Sequence, residues 1–88
     1  MPTISWFFGI AIRMFIKDHP PPHFLAVYGE YKANVSIETG EIIAGRLPLA
    51  AQRLVKEWCA LHREELLANW QRARLNEPLE RIAGLDND

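Results

Sequence analysis

The sequence predicts an α+β fold, in which an N-terminal antiparallel β-meander of four to five strands packs against a C-terminal helix or helix pair. Two observations predict it. Apolar residues recur at every second position in the first half of the chain, and at every third or fourth position in the second half. At 88 residues the chain is expected to form a single domain, 1–88, with a β-sheet half over 1–45, a helical half over 46–75 and an extended tail over 76–88.

The first two strands are predicted from their residue types and alternation. The first runs from Thr3 to Phe8 and is rich in β-branched and aromatic residues, and Gly9 marks a turn or bulge after it. The second has one apolar face, which is formed by Ile10, Ile12, Met14 and Ile16.

Three further strands are predicted after a run of prolines. His23 to Tyr28 is followed by Gly29-Glu30, a two-residue turn with glycine at the first central position, as a type II′ turn prefers. The next strand is Tyr31 to Glu38. After a second turn at Thr39-Gly40-Glu41, a short last strand covers Ile42 to Ala44.

The second half of the chain has helical spacing. Pro48 is well placed at a helix start. The pattern continues to Arg74, either as one long helix or as two helices joined near His62, and the tail after Asn76 is expected to dock its apolar residues. The predicted apolar stripe is formed by Ala51, Leu54, Val55, Trp58, Leu61, His62 and Leu66.

Composition excludes several classes of protein. A net charge of −1 and a pI near 6.3 argue against a globally basic nucleic-acid binder. Cys59 is the single cysteine, which rules out an intrachain disulfide and suits a reducing compartment. The apolar run Trp6 to Ile12 is too short to span a bilayer, so we expect a cytoplasmic protein with no membrane contact. The hydrophobic content of 49% suffices for a core and for an interface with a second copy or a partner.

The run His19-Pro20-Pro21-Pro22-His23 is the main candidate for function. Each proline fixes φ near −65° and removes a backbone donor, so the run is neither a helix interior nor a central strand. In a polyproline II segment the two histidines lie about 12 Å apart, and they could not chelate one metal unless a cis X-Pro bond folded the segment. Cys59 and His62 are further soft ligands without a third partner. We therefore predict no metal site and no cofactor.

The predicted hairpin register places the motif relative to the two faces of the sheet. A two-residue turn at Gly29-Glu30 sets Tyr28 opposite Tyr31, and alternation then assigns each strand position to a face. The core face pairs Ala26 with Ala33 and Phe24 with Val35. The outer face pairs His23, Leu25 and Val27 with Ser36, Asn34 and Lys32.

A set of short motifs covers nearly all of the chain. They are Met1-Pro2-Thr3-Ile4-Ser5, Gly9-Ile10, Ile12-Arg13-Met14, Asp18-His19-Pro20-Pro21-Pro22-His23-Phe24, Tyr28-Gly29-Glu30-Tyr31-Lys32-Ala33, Ile37-Glu38-Thr39-Gly40-Glu41, Glu57-Trp58, Leu61-His62-Arg63-Glu64-Glu65-Leu66, Asn69-Trp70 and Pro78-Leu79. In these motifs the chain resembles the short bacterial proteins of the family called domain of unknown function 4160. The resemblance implies no established activity. It implies a genomic association, because members look like the toxin-side or partner component of small two-gene modules of the toxin–antitoxin type.

The chain departs from the pattern of that family directly after the motif. The usual run after His23-Phe24 is histidine, valine, arginine and tyrosine, whereas this chain has Leu25, Ala26, Val27 and Tyr28. Two polar positions on the predicted outer face have thus become apolar. A catalytic use of those side chains would be impaired, whereas a protein-docking face would be preserved or strengthened by added aliphatic surface. The departure weighs against an enzyme.

The first functional hypothesis is a protein-interaction module. Its partner is a small cognate protein from a neighbouring gene, or a second copy in a homo-oligomer. The residues expected to bind the partner are His19, Pro20, Pro21, Pro22, His23, Leu25 and Val27.

The alternative is a metal-independent RNA-cleaving toxin. His23 would act as base or acid on the 2′-hydroxyl, while Arg13 and Lys32 would contact the phosphate. The near-neutral charge is unfavourable to this alternative, because phosphate binding is driven by the release of counterions. A third reading is that the motif is purely architectural, a rigid corner whose histidines bond to backbone.

Overall fold

Five strands in the first half of the chain form one antiparallel sheet in the computed structural model, which describes residues 2–86. Each strand pairs with the next along the chain, in the order β1-β2-β3-β4-β5, and two helices follow. The predicted α+β meander is thereby confirmed. The strands are β1 Thr3–Phe7, β2 Ile10–Arg13, β3 His23–Tyr28, β4 Tyr31–Ser36 and β5 Ile42–Gly45.

The register predicted for the β3–β4 hairpin is confirmed. Tyr28 pairs with Tyr31 across the turn, and Gly29 has the positive φ of 57° that the first central position of a type II′ turn requires. The remaining pairs follow at intervals of one residue, so the two faces are assigned as expected. They are Val27 with Lys32, Ala26 with Ala33, Leu25 with Asn34, Phe24 with Val35 and His23 with Ser36.

The first strand ends one residue earlier than predicted. Phe7 pairs with Ile10, so Phe8 and Gly9 form the two-residue turn between β1 and β2. Both have positive φ, 49° and 79°, which is the conformation of a type I′ turn. Phe8 therefore belongs to the connection and is 53% exposed.

Strands β2 and β4 are shorter than predicted. Ile16 was expected on the apolar face of β2, but the strand ends at Arg13 and Ile16 is 47% exposed. The next residue, Lys17, has a left-handed φ of 59° and donates its backbone N–H to Ala73 O at 3.2 Å, which takes the chain away from the sheet. Strand β4 ends at Ser36, because Gly40 donates to Ser36 O at 2.8 Å and closes a turn there.

Two helices follow, α1 over Leu49–Leu61 and α2 over Arg63–Arg74, which is the second of the two predicted alternatives. They are separated at His62, whose φ of −119° and ψ of 24° lie outside the helical range. Leu61 was expected on the buried stripe and is instead 66% exposed, because this last residue of α1 lies off the face that buries Ala51, Val55, Trp58 and Cys59. No helix within residues 2–86 is long and apolar enough to cross a membrane.

The core lies between the helices and one face of the sheet. Trp58 of α1 packs on that face, with its ring 5.2 Å from Phe7 and 5.7 Å from Phe24. None of the outward-facing strand residues belongs to the core cluster. The buried core is formed by Ile4, Phe7, Ile10, Ile12, Met14, Phe24, Ala26, Ala33, Val35, Ile37, Leu47, Ala51, Val55, Trp58, Cys59, Leu66, Trp70, Ala73 and Ile82.

The segment after α2 docks along β1. Ile82 donates its backbone N–H to Ile4 O at 2.8 Å, and the Trp58 indole donates to Ala83 O at 2.8 Å. Gly84 fits tightly here, because a Cβ at this position would lie 2.7 Å from Trp6 O. The segment thus covers the edge of the sheet that β1 would otherwise leave open.

Candidate functional site

The proline run lines an open groove beside the outer face of the sheet. The chain leaves β2 after Arg13 and returns to the sheet at His23. This connection, called here the proline corner, lies next to outward-facing positions of β4 and β5. The peptide bond between Pro20 and Pro21 is cis. The groove, called here the proline groove, has a volume of about 330 Å³ and is lined by Phe15, Asp18, His19, Pro20, Pro21, His23, Asn34 and Ile43.

His23 is held on both sides of its ring. Its Nδ1 donates to Pro21 O at 2.7 Å, and its Nε2 lies 3.0 Å from Asp18 Oδ2. The ring centroid is 5.2 Å from that of the buried Trp70, and the His23 side chain is only 13% exposed. Asp18 is engaged further, because its Oδ1 accepts the His19 N–H at 2.8 Å. The corner is therefore a closed set of local hydrogen bonds packed against α2.

This arrangement differs from that of a catalytic histidine. In Asp–His pairs that serve as general bases, the carboxylate holds one ring nitrogen and the other is left for the substrate. Here the Asp18 carboxylate and the Pro21 carbonyl occupy both nitrogens. The geometry favours a histidine that holds the corner together.

The three residues of the predicted RNA-cleaving site are not gathered around one point. Arg13 pairs with Leu25, two positions along β3 from His23. Lys32 pairs with Val27, four positions from His23, which is about 13 Å along the strand. Arg13 and Lys32 face the outer side of the sheet by register, whereas the His23 ring contacts Trp70 of α2, so the three side chains are spread along the sheet.

The residues predicted to bind a partner differ in their exposure. His19, Pro20 and Pro21 are exposed at the corner, while Leu25 and Val27 are half-buried on the outer face. Pro22 is half-buried too, and its carbonyl accepts the Ile37 N–H at 3.0 Å, which ties the corner to the end of β4.

The side chains of Cys59 and His62 are both engaged in contacts within the fold. Cys59 is fully buried, and its thiol donates to Ile37 O at 3.3 Å. Burial raises the pKa of Cys59 and the neighbouring Arg63 opposes this shift, so the group stays a protonated thiol at neutral pH. His62 lies beside Glu65, with Nδ1 2.6 Å from Oε1. Within residues 2–86, no three His, Cys, Asp or Glu side chains are grouped so that they could hold a metal ion.

Two features of the site were not predicted from the sequence. Asp18 is the side-chain partner of His23, and its position five residues before the histidine is the signal that could have indicated it. The outer face also carries aromatic surface, since Trp6 is 52% and Phe15 37% exposed. Trp6 pairs with Ala11 on that face, and Ala11 is only 3% exposed although it lies outside the core cluster.

A second, more enclosed cavity of about 190 Å³ lies between β5 and the start of α1. Its apolar lining includes Leu47 and Val55, and an ion pair between Lys56 and Glu41 borders it. No sequence motif pointed to this cavity.

Comparison with known proteins identifies the chain by its family. No curated protein and no solved structure matches it. The family model described as "Domain of unknown function (DUF4160)" matches residues 9–71, which is more than half of the chain and includes the proline groove, β2 to β5, α1 and most of α2. The chain therefore belongs to the DUF4160 family.

Proposed function

We propose that the protein is a protein-interaction module, whose outer sheet face and proline corner bind a small cognate protein encoded by a neighbouring gene. In this proposal it is the toxin or partner component of a two-gene module of the toxin–antitoxin type. The observation that carries the proposal is the apolar outer face. Trp6 is 52% exposed there, and Leu25 and Val27 add aliphatic surface that does not belong to the core.

The hydrogen bonds of the His23 ring favour a binding function over a catalytic one. Both ring nitrogens are engaged within the corner, and Arg13 and Lys32 lie at other positions along the sheet. A rigid corner beside an apolar face is suited to docking, because little conformational entropy is lost when a preformed surface binds.

Co-purification with the neighbouring gene product tests the proposal. We expect the tagged protein to co-purify with the neighbouring gene product, and Leu25→Asp to abolish this, because the substitution removes aliphatic surface and adds a carboxylate that would occupy Arg13 across the strands. Leu61→Asp is the matched control, since Leu61 is 66% exposed at the α1–α2 junction and should have no effect.

A second variant guards against loss of folding. Trp6→Ser changes a side chain that is already 52% exposed, so it should weaken binding and leave the circular dichroism spectrum unchanged. The proposal would be contradicted if the protein did not co-purify with the neighbouring gene product. It would also be contradicted if the complex still formed with both Leu25→Asp and Trp6→Ser.

A further inference from the structure

Negative charge is absent from the strands of this protein. The chain contains 11 Asp and Glu residues, yet none lies in β1 to β5. The two Lys and Arg residues of the strands, Arg13 and Lys32, both face outward by register. A protein with a net charge of −1 thus carries a sheet face whose formal charge is positive.

The positive charge of Arg13 has no acidic partner among the described residues. The Arg13 Nε is buried, with no hydrogen-bond partner among the described residues. Within residues 2–86, no ion pair includes Arg13 or Lys32. Arg13 as a residue is only half-buried, so its positive charge lies close to the surface, where a carboxylate of a docking partner would form a charge-assisted interaction with it.

The apolar residues lie between the two cations. Leu25 pairs with Arg13 and Val27 pairs with Lys32, so β3 carries aliphatic surface between a cation on β2 and a cation on β4. The two cationic positions are separated by about 7 Å along the strands and about 10 Å across them.

From this arrangement we propose that the outer face takes an acidic, amphipathic segment of the partner protein. Its apolar side chains pack on Leu25, Val27 and Trp6, one carboxylate pairs with the Arg13 guanidinium, and a second pairs with the Lys32 ammonium. The inference rests on the proposed function and adds the chemistry of the partner to it.

A protein segment fits this face better than RNA does. RNA affinity depends on the number of phosphates that cations neutralise, and this face offers two cations in a chain of net negative charge. Leucine and valine at its centre can neither bond to phosphates nor read base edges, whereas they match the apolar side chains of an amphipathic segment.

The test is selection of binders from a random peptide display library on the folded protein. We expect the selected peptides to combine Asp and Glu with Leu, Ile, Val or Phe. The tightest synthetic peptide should bind about tenfold more weakly to Arg13→Gln, a loss typical of one charge-assisted hydrogen bond. It should bind unchanged to Arg53→Gln, the matched control on the exposed side of α1.

Two further readouts make the test specific for charge. Exchanging the peptide's carboxylates for amides should reproduce the loss of affinity seen with Arg13→Gln, and added NaCl should weaken binding because the pairs lie at the surface.

The fluorescence emission of Trp6 should change on peptide binding, and Trp6→Phe should remove that change. Trp58 and Trp70 are buried and should not respond.

The inference is overturned if the selected peptides carry no excess of acidic residues, or if their affinity is indifferent to Arg13→Gln. It is also overturned if a single-stranded RNA oligonucleotide binds in an Arg13-dependent way while no acidic peptide is selected. These outcomes differ from a failure of the proposed function, in which the neighbouring gene product does not bind, or binds regardless of Leu25→Asp.

Discussion

At His23 the two ring nitrogens face the Pro21 carbonyl and the Asp18 carboxylate, at 2.7 Å and 3.0 Å. His19, four residues earlier in the same motif, is exposed at the surface. Two histidines that look equivalent in the sequence therefore have different roles, because one is enclosed by the corner and the other faces solvent. The closed hydrogen bonds of His23 agree with an architectural role, and the exposed His19 remains available to a partner.

Replacing each of these histidines separates the two roles. His23→Ala should lower the free energy of unfolding by about 2–3 kcal/mol, because it removes two hydrogen bonds and a ring packed on Trp70. His19→Ala, the matched control, should change it by less than about 0.5 kcal/mol. Urea unfolding followed by tryptophan fluorescence measures both, and equal stabilities for the two variants would contradict this account.

The C-terminal segment is attached to α2 by one buried amide. Asn69 is fully buried in α2, where its Nδ2 donates to Glu80 O at 2.7 Å and its Oδ1 accepts the Glu80 N–H at 2.9 Å. Arg72 also donates to this Oδ1 at 2.9 Å. The amide thus pairs with the backbone of Glu80 as a neighbouring strand would, and it positions Ile82 for its bond to Ile4.

Removing this amide should release the segment from the sheet. Asn69→Ala leaves the backbone N–H and C=O of Glu80 without their partners, so we expect a loss of about 2–3 kcal/mol in unfolding free energy. Hydrogen exchange at the Ile82 amide should also become faster. Gln71→Ala, at an exposed position two residues away, is the control and should change neither quantity. An Ile82 amide that stays as protected as in the original chain would refute the role of Asn69.

The whole molecule depends on parts that the family match does not include. The match covers 9–71, whereas β1 and the docked segment lie outside it. These parts contribute Ile4, Phe7 and Ile82 to the core cluster, and each of the three side chains is at most 2% exposed.

A fragment of residues 9–71 should therefore fail to fold cooperatively. It would lose core side chains at one end of the sheet and would leave the β2 edge open, which favours aggregation. We expect a broad urea transition by circular dichroism, compared with a single sigmoidal one for the 88-residue chain. A fragment with a sharp transition near that of the whole chain would show that the matched region is self-sufficient.

Much of the fold could be predicted because its determinants are local. Alternation assigns each strand position to a face by parity, and the Gly29-Glu30 turn then sets the register of β3 and β4. The exceptions were element ends. Ile16 and Leu61 fit their patterns, but β2 ends at Arg13, before Ile16, and Leu61 lies at the last residue of α1, off its buried face.

The sequence by itself determined the meander, a helical second half, the family and the outward placement of Leu25, Val27, Arg13 and Lys32, because each follows from neighbours along the chain. Whether that half is one helix or two was left open, and the structure shows two. Only the tertiary structure decided that His23 is enclosed by Asp18 and Pro21, that Asn69 holds the tail, and that the proline corner and the sheet share one groove. Nearly all of these contacts depend on how the corner, the helices and the tail pack in space. No local pattern specifies that packing, since it follows from burying one shared core.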